Sequence, residues 1–225
     1  MTEPPDGADL SRAEATRGRI LDAAVQAFAD KGFHGTTTRD ITSACGLSSA
    51  GLYVHHKSKE ELLHQISLAG HVTTLQLVID SKAASTDPVE QLSSTMRAFA
   101  AHHAREPTRA RVVNYELAAL SPDHYAEIRA IREQISDEMR QIVEAGVATG
   151  VFDTTDPRMA AMALLSLGID VARWYREGGG WAPEAIAEFY VGLALRMVGA
   201  SAMPLTSRSL SDSTRAGPLC PAPRD

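Results

Sequence analysis

Residues 36–63 read TTTRDITSACGLSSAGLYVHHKSKEELL, and small hydroxyl side chains recur there where an ordinary helix would carry a full apolar stripe. Ser48, Ser49, Ala50 and Gly51 open a short helix whose backbone can approach a flat surface closely. Serine hydroxyls bond base edges or phosphate oxygens, and an alanine methyl such as Ala50 can touch a thymine methyl. Tyr53 offers a phenol to a phosphate, and His55 lies on the same short helix. Lys57 and Lys59 flank the start of the next helix, where free amides and the helix dipole also favour an anion. Thr37, Thr38 and Arg39 open the preceding helix and reach toward the opposite backbone, with a base as the alternative target of Arg39. The chemistry on offer is recognition of a nucleic-acid duplex.

The elements that must hold these side chains can be read from caps and breakers. Thr37-x-x-Asp40 and Ser58-x-x-Glu61 are capping boxes, and Ser48 caps the helix over Ser49–His55. Gly46 supplies the turn between two short helices, Leu47 plugs the space between them, and Ile41 and Ala44 point inward. Ahead of them a helix runs from about Ser11 to Asp30, with Ile20, Ala24, Ala27 and Phe28 inward and Gly32 at its end. Residues 1–10 read as a flexible arm. From the Ser58 cap a fourth helix continues to about Lys82, and further helices are expected over 88–104, 107–120, 123–148, 156–176 and 183–199. Pro107, Ser121-Pro122, Gly150, Asp156-Pro157, the Gly178–Gly180 run and Pro183 punctuate them, and residues 201–225 read as a disordered tail.

The expected fold is therefore all-α, with about nine helices. A three-helix domain with a helix-turn-helix spans 11–60, and a helical domain for ligand binding and dimerisation spans 61–200. With 44% apolar and 5% aromatic residues, the composition suits helix packing. The net charge of −6 would argue against nucleic acid were it evenly spread. Residues 12–63 carry seven Lys/Arg against six Asp/Glu, so the acidic excess lies elsewhere. Two cysteines in unlike contexts, Cys45 and Cys220, make no disulfide framework and fit a reducing compartment. The N-terminus lacks the apolar core of a signal peptide, and no apolar run reaches about 18 residues. A soluble, cytoplasmic protein without a membrane partner is expected.

The ordered set Gly32-Phe33, Thr36-Thr37, Ile41, Gly46-Leu47-Ser48, Gly51-Leu52-Tyr53, His55 and Ser58-Lys59-Glu60 resembles the N-terminal domain of TetR-family transcriptional regulators. Thr42 and Cys45 stand where that family usually has alanines, and His56 stands where it has a core phenylalanine. A neutral, hydrogen-bonded imidazole inside the small core is the expected role of His56. The resemblance implies a homodimer on a palindromic operator, paired through a four-helix bundle. Two stripes at helical spacing suit that pairing: Ala160, Ala163, Leu164, Leu167, Val171 and Trp174, then Ile186, Phe189, Tyr190, Leu193 and Met197.

The middle helices must then hold any effector, and they mix apolar residues with His102, His103, Arg109, Arg111, Asn114, Tyr115, Glu116, His124 and Arg173. Phe99, His103, Arg111, Asn114, Tyr115 and Trp174 form the expected ligand site, since an apolar cavity with a few convergent polar groups is the usual form of one. His102-His103 makes no metal site, because adjacent helical residues diverge by about 100°. No metal, cofactor or catalytic residue is expected. YVHHKSKEELL and the C-terminal VARWYREGGG and PEAIAEFYVGLAL resemble the branch of the family related to KstR-type regulators of steroid and lipid catabolism. That resemblance implies an acyl-CoA or steroid-like thioester as effector, with Arg109 or Arg111 near its phosphates. The reading is a dimeric, sequence-specific DNA-binding regulator, a repressor released by such an effector. The alternatives are an all-helical enzyme acting on a lipid or thioester, or a ligand-binding dimer without DNA-binding activity.

Overall fold

The computed structural model describes residues 7–176 and 178–200, without the side chains of residues 7–12, Ser49 and His55. Nine α-helices and no strand occur among the described residues: α1 Gly7–Gly35, α2 Thr38–Ala44, α3 Ser49–His55, α4 Lys59–Ala83, α5 Pro88–Arg105, α6 Pro107–Tyr115, α7 Pro122–Ala148, α8 Pro157–Trp174 and α9 Pro183–Met197. The flexible arm expected over residues 1–10 is corrected from Gly7 onward. No breaker follows Gly7, and the Ala-, Arg- and Glu-rich run behind it carries the helix back toward the N-terminus. The tail expected over 201–225 and the first six residues of the arm lie outside the described residues. Helix α1 turns out of register at Gly32, where φ is +69°, a conformation that glycine adopts without a Cβ penalty.

Local capping explains the rest of the order. Asp40 N donates to Thr37 Oγ1 at 3.2 Å and Thr37 N donates to Asp40 Oδ2 at 2.8 Å, so that box closes in both directions. Gly51 N donates to Ser48 Oγ, and Glu61 N to Ser58 Oγ. The second box closes differently from expectation, because the Glu61 carboxylate accepts from Lys57 N, one residue before the cap. Proline opens α5 to α9, where its fixed φ fits the first turn and its missing N–H costs nothing. The helix expected over 107–120 stops at Tyr115 and passes through Glu116 into a 3₁₀ turn, Leu117–Ala119. Glu116 accepts there from Phe33 N and so ties this corner to the end of α1.

Ile20, Ala24, Phe28, Ile41, Leu52, Leu62 and Ile66 form the core beneath the short helices, and Val112 and Val113 of α6 complete it. In α2 the inward pair is Ile41 and Thr42, not Ile41 and Ala44, since Ala44 is exposed. His56 is buried, as its position in this core requires. A second core joins α4, α5, α7, α8 and α9 through Val78, Met96, Phe99, Met139, Ile142 and Leu164. Helix α4 is long and apolar enough by composition to cross a bilayer, with mean hydropathy 1.2, but it packs against α1, α5, α6 and α7. Gly70 and Gly168 allow the closest crossings. A Cβ on Gly70 would stand 2.7 Å from Val113 of α6, and one on Gly168 would stand 2.4 Å from the Phe99 ring.

Candidate nucleic-acid interface and effector cavity

At one end of the molecule α2 and α3 present an outer face built almost wholly by local rules. Gly46, with φ of +68°, turns the chain between them. Leu52 is fully buried and fixes the rotation of α3, so Ala50, Tyr53 and Val54 share the opposite face. Tyr53 is 54% exposed and Val54 80%, and Ser48 and Ala50 are exposed beside them. The structure therefore brings Thr37, Thr38, Arg39, Ser48, Ala50, Gly51 and Tyr53 to one end of the molecule. The side chains of Ser49 and His55 lie outside the described residues. Val54 was missed in the sequence, although its spacing from Ala50 and Tyr53 marks it: an apolar side chain standing in water on a recognition face is suited to a thymine methyl.

The two lysines part company. Lys57 is exposed. Lys59 is half-buried, donating to Phe33 O at 2.6 Å and Thr36 O at 2.7 Å, and its ammonium stands 4.2 Å from the centre of the Phe33 ring. Two of its three protons thus close the end of α1 against α4, and one remains for a phosphate. Thr36, buried, reinforces the same corner by donating to Ala27 O and Gly32 O, both at 2.8 Å.

Twelve residues further along α4 lies a half-open cavity of about 800 Å³ lined by α4, α5, α6, α7 and α8. Its inner wall is His71, Thr74, Phe99, His103, Asn114 and Arg132, and its rim carries Arg129, Glu133, Asp137, Arg140, Glu144 and Arg158. His71 Nδ1 donates to Ser67 O at 2.8 Å, and its Nε2 accepts from Arg132 Nη1 at 3.1 Å, which fixes the tautomer. The same Arg132 nitrogen donates to Asn114 Oδ1 at 3.3 Å, and Asn114 Nδ2 donates to Ala110 O. Burial, with the Arg132 charge as a lesser cause, pushes the His71 imidazole down to about 4. Burial does the same to His103, again to about 4, and both rings are neutral near pH 7.

Of the expected ligand residues, Phe99, His103 and Asn114 line this cavity, while Arg111, Tyr115 and Trp174 lie outside its wall. Arg111 faces the α6–α8 contact, donating to Ala172 O and Thr108 Oγ1. Tyr115 is half-exposed beneath the Arg173 guanidinium, and Trp174 is packed edge-on against Trp181. Arg109, expected near phosphates, is paired instead with Asp22 of α1 at 2.6 Å and with Glu106. Sequence reasoning missed His71, Arg132, Arg140 and Arg158. His71 had a signal: a histidine one turn before Thr74 on a helix otherwise rich in apolar residues.

Two contacts join cavity and recognition face besides α4 itself. Glu60, in the first turn of α4, accepts from Ser121 N at 2.8 Å and pairs with His124 of α7, whose ring stacks at 3.7 Å on His64. Helix α6, which contributes Val113 and Asn114 to the cavity, holds α1 through the Arg109–Asp22 pair.

A three-helix head with an exposed recognition face, joined by one long helix to a helical body with a half-open cavity, is the build of a DNA-binding transcriptional regulator. Residues 20–66 match the family of bacterial regulatory proteins called the tetR family, and residues 85–198 match the tetracyclin repressor-like C-terminal domain. The chain belongs to the TetR family of DNA-binding transcriptional regulators. That membership sets aside the enzyme alternative. The chain is similar to the transcriptional repressor KstR2 of Rhodococcus jostii strain RHA1, at 29% identity over 200 residues, 85% of this chain and 95% of the relative. It is also similar to a crystal structure of a tetR-family regulatory protein from Rhodococcus RHA1, with 41% identity, a TM-score of 0.78, and coverage of 83% of this chain and 98% of that one. The structure of AibR in complex with isovaleryl coenzyme A and operator DNA superposes with a TM-score of 0.74 at 25% identity, over 83% of this chain and all of that one.

Proposed function

We propose that this chain is a homodimeric repressor that binds a palindromic operator and is released by an acyl-CoA or steroid-like thioester held in the α4–α8 cavity. The observation that carries the reading is the continuity of α4. His71 and Thr74 line the cavity, while Lys59, at the start of the same helix, holds the corner that positions α2 and α3. A rigid helix that touches both sites moves one when the other is filled, and linkage makes the effect reciprocal. In the dimer two α3 helices enter successive major grooves about 34 Å apart. Ser48, Ala50, Tyr53 and Val54 meet bases and backbone there, with Thr37, Thr38, Arg39 and Lys57 on flanking phosphates.

Dimerisation through α8 and α9 is supported by Met159, Phe189 and Met197, which stand 65%, 63% and 42% exposed in the single chain. A thioester effector is supported by the coenzyme A ester bound to the similar protein AibR and by the similarity to KstR2. At the cavity rim Arg129 pairs with Glu133, and Arg140 with Asp137 and Glu144. Arg158 pairs with no carboxylate among the described residues, so it is the rim cation ready for a phosphate. The proposed place of action is the cytoplasm, where the operator lies.

Native mass spectrometry of the purified chain, followed by gel shifts on the DNA upstream of its own gene at two salt concentrations, tests the assembly. A dimer that binds that DNA with a steep loss of affinity at higher salt is expected. A monomer, or a dimer indifferent to that DNA, would remove the reading.

A further inference from the structure

The inner wall of the cavity holds two histidines in the same setting but with different work. Each donates from Nδ1 to the carbonyl four residues earlier, His71 to Ser67 O and His103 to Phe99 O, both at 2.8 Å. A carbonyl only accepts, so both rings carry their proton on Nδ1 and expose a lone pair at Nε2. For His71 that lone pair takes the Arg132 Nη1 proton. For His103 no described residue supplies a donor, although the side chain is only 2% exposed and lines the cavity. Arg132 itself keeps donors in hand: Nη1 serves His71 and Asn114, and no described residue accepts from its Nε or Nη2. The wall thus offers one acceptor without a donor and a guanidinium with spare donors.

We infer that the effector carries a hydroxyl at the far end of its apolar portion, donating to His103 Nε2 and accepting from Arg132. The inference rests on the proposed binding of a thioester in this cavity. A hydroxyl is the smallest group that does both jobs at once. A carboxylate or a ketone accepts from Arg132 but sets a second lone pair against that of His103. A plain hydrocarbon end satisfies neither group, and it displaces the solvent that would otherwise serve them. The hydroxyl belongs at the far end because the phosphate-binding cation, Arg158, is exposed at the rim, whereas His103 and Phe99 are the buried wall. A site built around a hydroxyl rejects the ligand that lacks it more strongly than an apolar pocket rejects a missing methylene.

The test is a calorimetric comparison of three probes on the full chain: dodecanoyl-CoA, 12-hydroxydodecanoyl-CoA and the CoA monothioester of dodecanedioic acid. The free acids dodecanoic and 12-hydroxydodecanoic acid form a second pair. The hydroxylated thioester is expected to bind about 10- to 100-fold tighter than the other two. In His103→Phe that preference should fall to within about threefold, and in His103→Gln, which keeps an acceptor, part of it should return. Equal binding of all three thioesters, or a preference for the diacid, overturns the hydroxyl and leaves the thioester reading standing. If no thioester binds but 12-hydroxydodecanoic acid binds better than dodecanoic acid, the hydroxyl stands and the thioester falls. No preference within either pair, or no binding of any probe, overturns the inference.

Discussion

The two ends of α4 are built by different means. At its start the recognition unit is assembled from neighbours in sequence: the Thr37–Asp40 box, the Ser48 cap, the Gly46 turn and the Thr36 bonds back to α1. One helical stretch away, the cavity gathers side chains from five helices, and the bonds that shape it span long stretches of chain, as from Arg132 to His71. The reading head is stiffened by backbone capping and leaves Ala50, Tyr53 and Val54 exposed on its outer face. The cavity is defined by buried polar side chains that hold one another. Damage to the head should therefore change what is bound outside, and damage to the cavity should change stability and response first.

Acid should break the cavity before the head. His71 and His103 are both depressed to about 4, below the ordinary histidine value of 6.5, chiefly by burial. The unfolded chain binds protons in that window while the folded chain does not. Their stabilising contribution is therefore complete above about pH 6.5 and is lost as pH falls toward about 4, by on the order of 3 kcal/mol for each ring. Urea unfolding between pH 7 and 4.5 should show that slope, and the doubly substituted His71→Gln/His103→Gln chain should show a flatter one.

Gly168→Ala comes next. Its Cβ would press on the Phe99 ring between α5 and α8, so a loss of about 1–3 kcal/mol in unfolding free energy is expected. DNA binding by the folded fraction should stay intact, which a stability measurement beside an anisotropy titration would reveal. The two lysines of the head then sharpen the comparison from within. Lys59→Ala should lower the melting temperature, because two buried-side carbonyls lose their donor, at about 1–2 kcal/mol. Lys57→Ala should leave melting unchanged and reduce the slope of log affinity against log salt by about one per subunit. Similar melting losses in both variants would remove the distinction.

This contrast also explains what could be read beforehand. Thr37, Ser48, Ser58 and Gly46 announce themselves because caps and turns act over three or four residues, and the starts of α5 to α9 fall at prolines for the same reason. Burial of Leu52 fixes which face of α3 looks outward, and that too follows from helical spacing. The cavity was only half legible. Phe99, His103 and Asn114 were expected on it, but Arg111 and Tyr115 lie close in sequence to Asn114 and face elsewhere, because α6 is short and turns its arginine toward α8. Arg132 and Arg158 sit on amphipathic helices where a charged residue reads as ordinary solvated surface, and only the packing of α7 and α8 sets Arg132 on the cavity wall and Arg158 on its rim. Lys59 hides a second duty: it reads as a phosphate anchor, and two of its protons also go to the carbonyls of Phe33 and Thr36, which no local spacing announces.

The central claim is that filling the cavity loosens the grip of the head on DNA. It is tested most directly by fluorescence anisotropy of labelled DNA from upstream of the chain's own gene, titrated with the protein with and without saturating 12-hydroxydodecanoyl-CoA and dodecanoyl-CoA. Wild-type protein should lose affinity by about 5- to 150-fold with at least one thioester, the usual span of coupling between two sites. Arg132→Ala should bind the same DNA without thioester but lose most of that response. Equal DNA affinity with and without either thioester, at concentrations where calorimetry shows the cavity filled, would contradict the account.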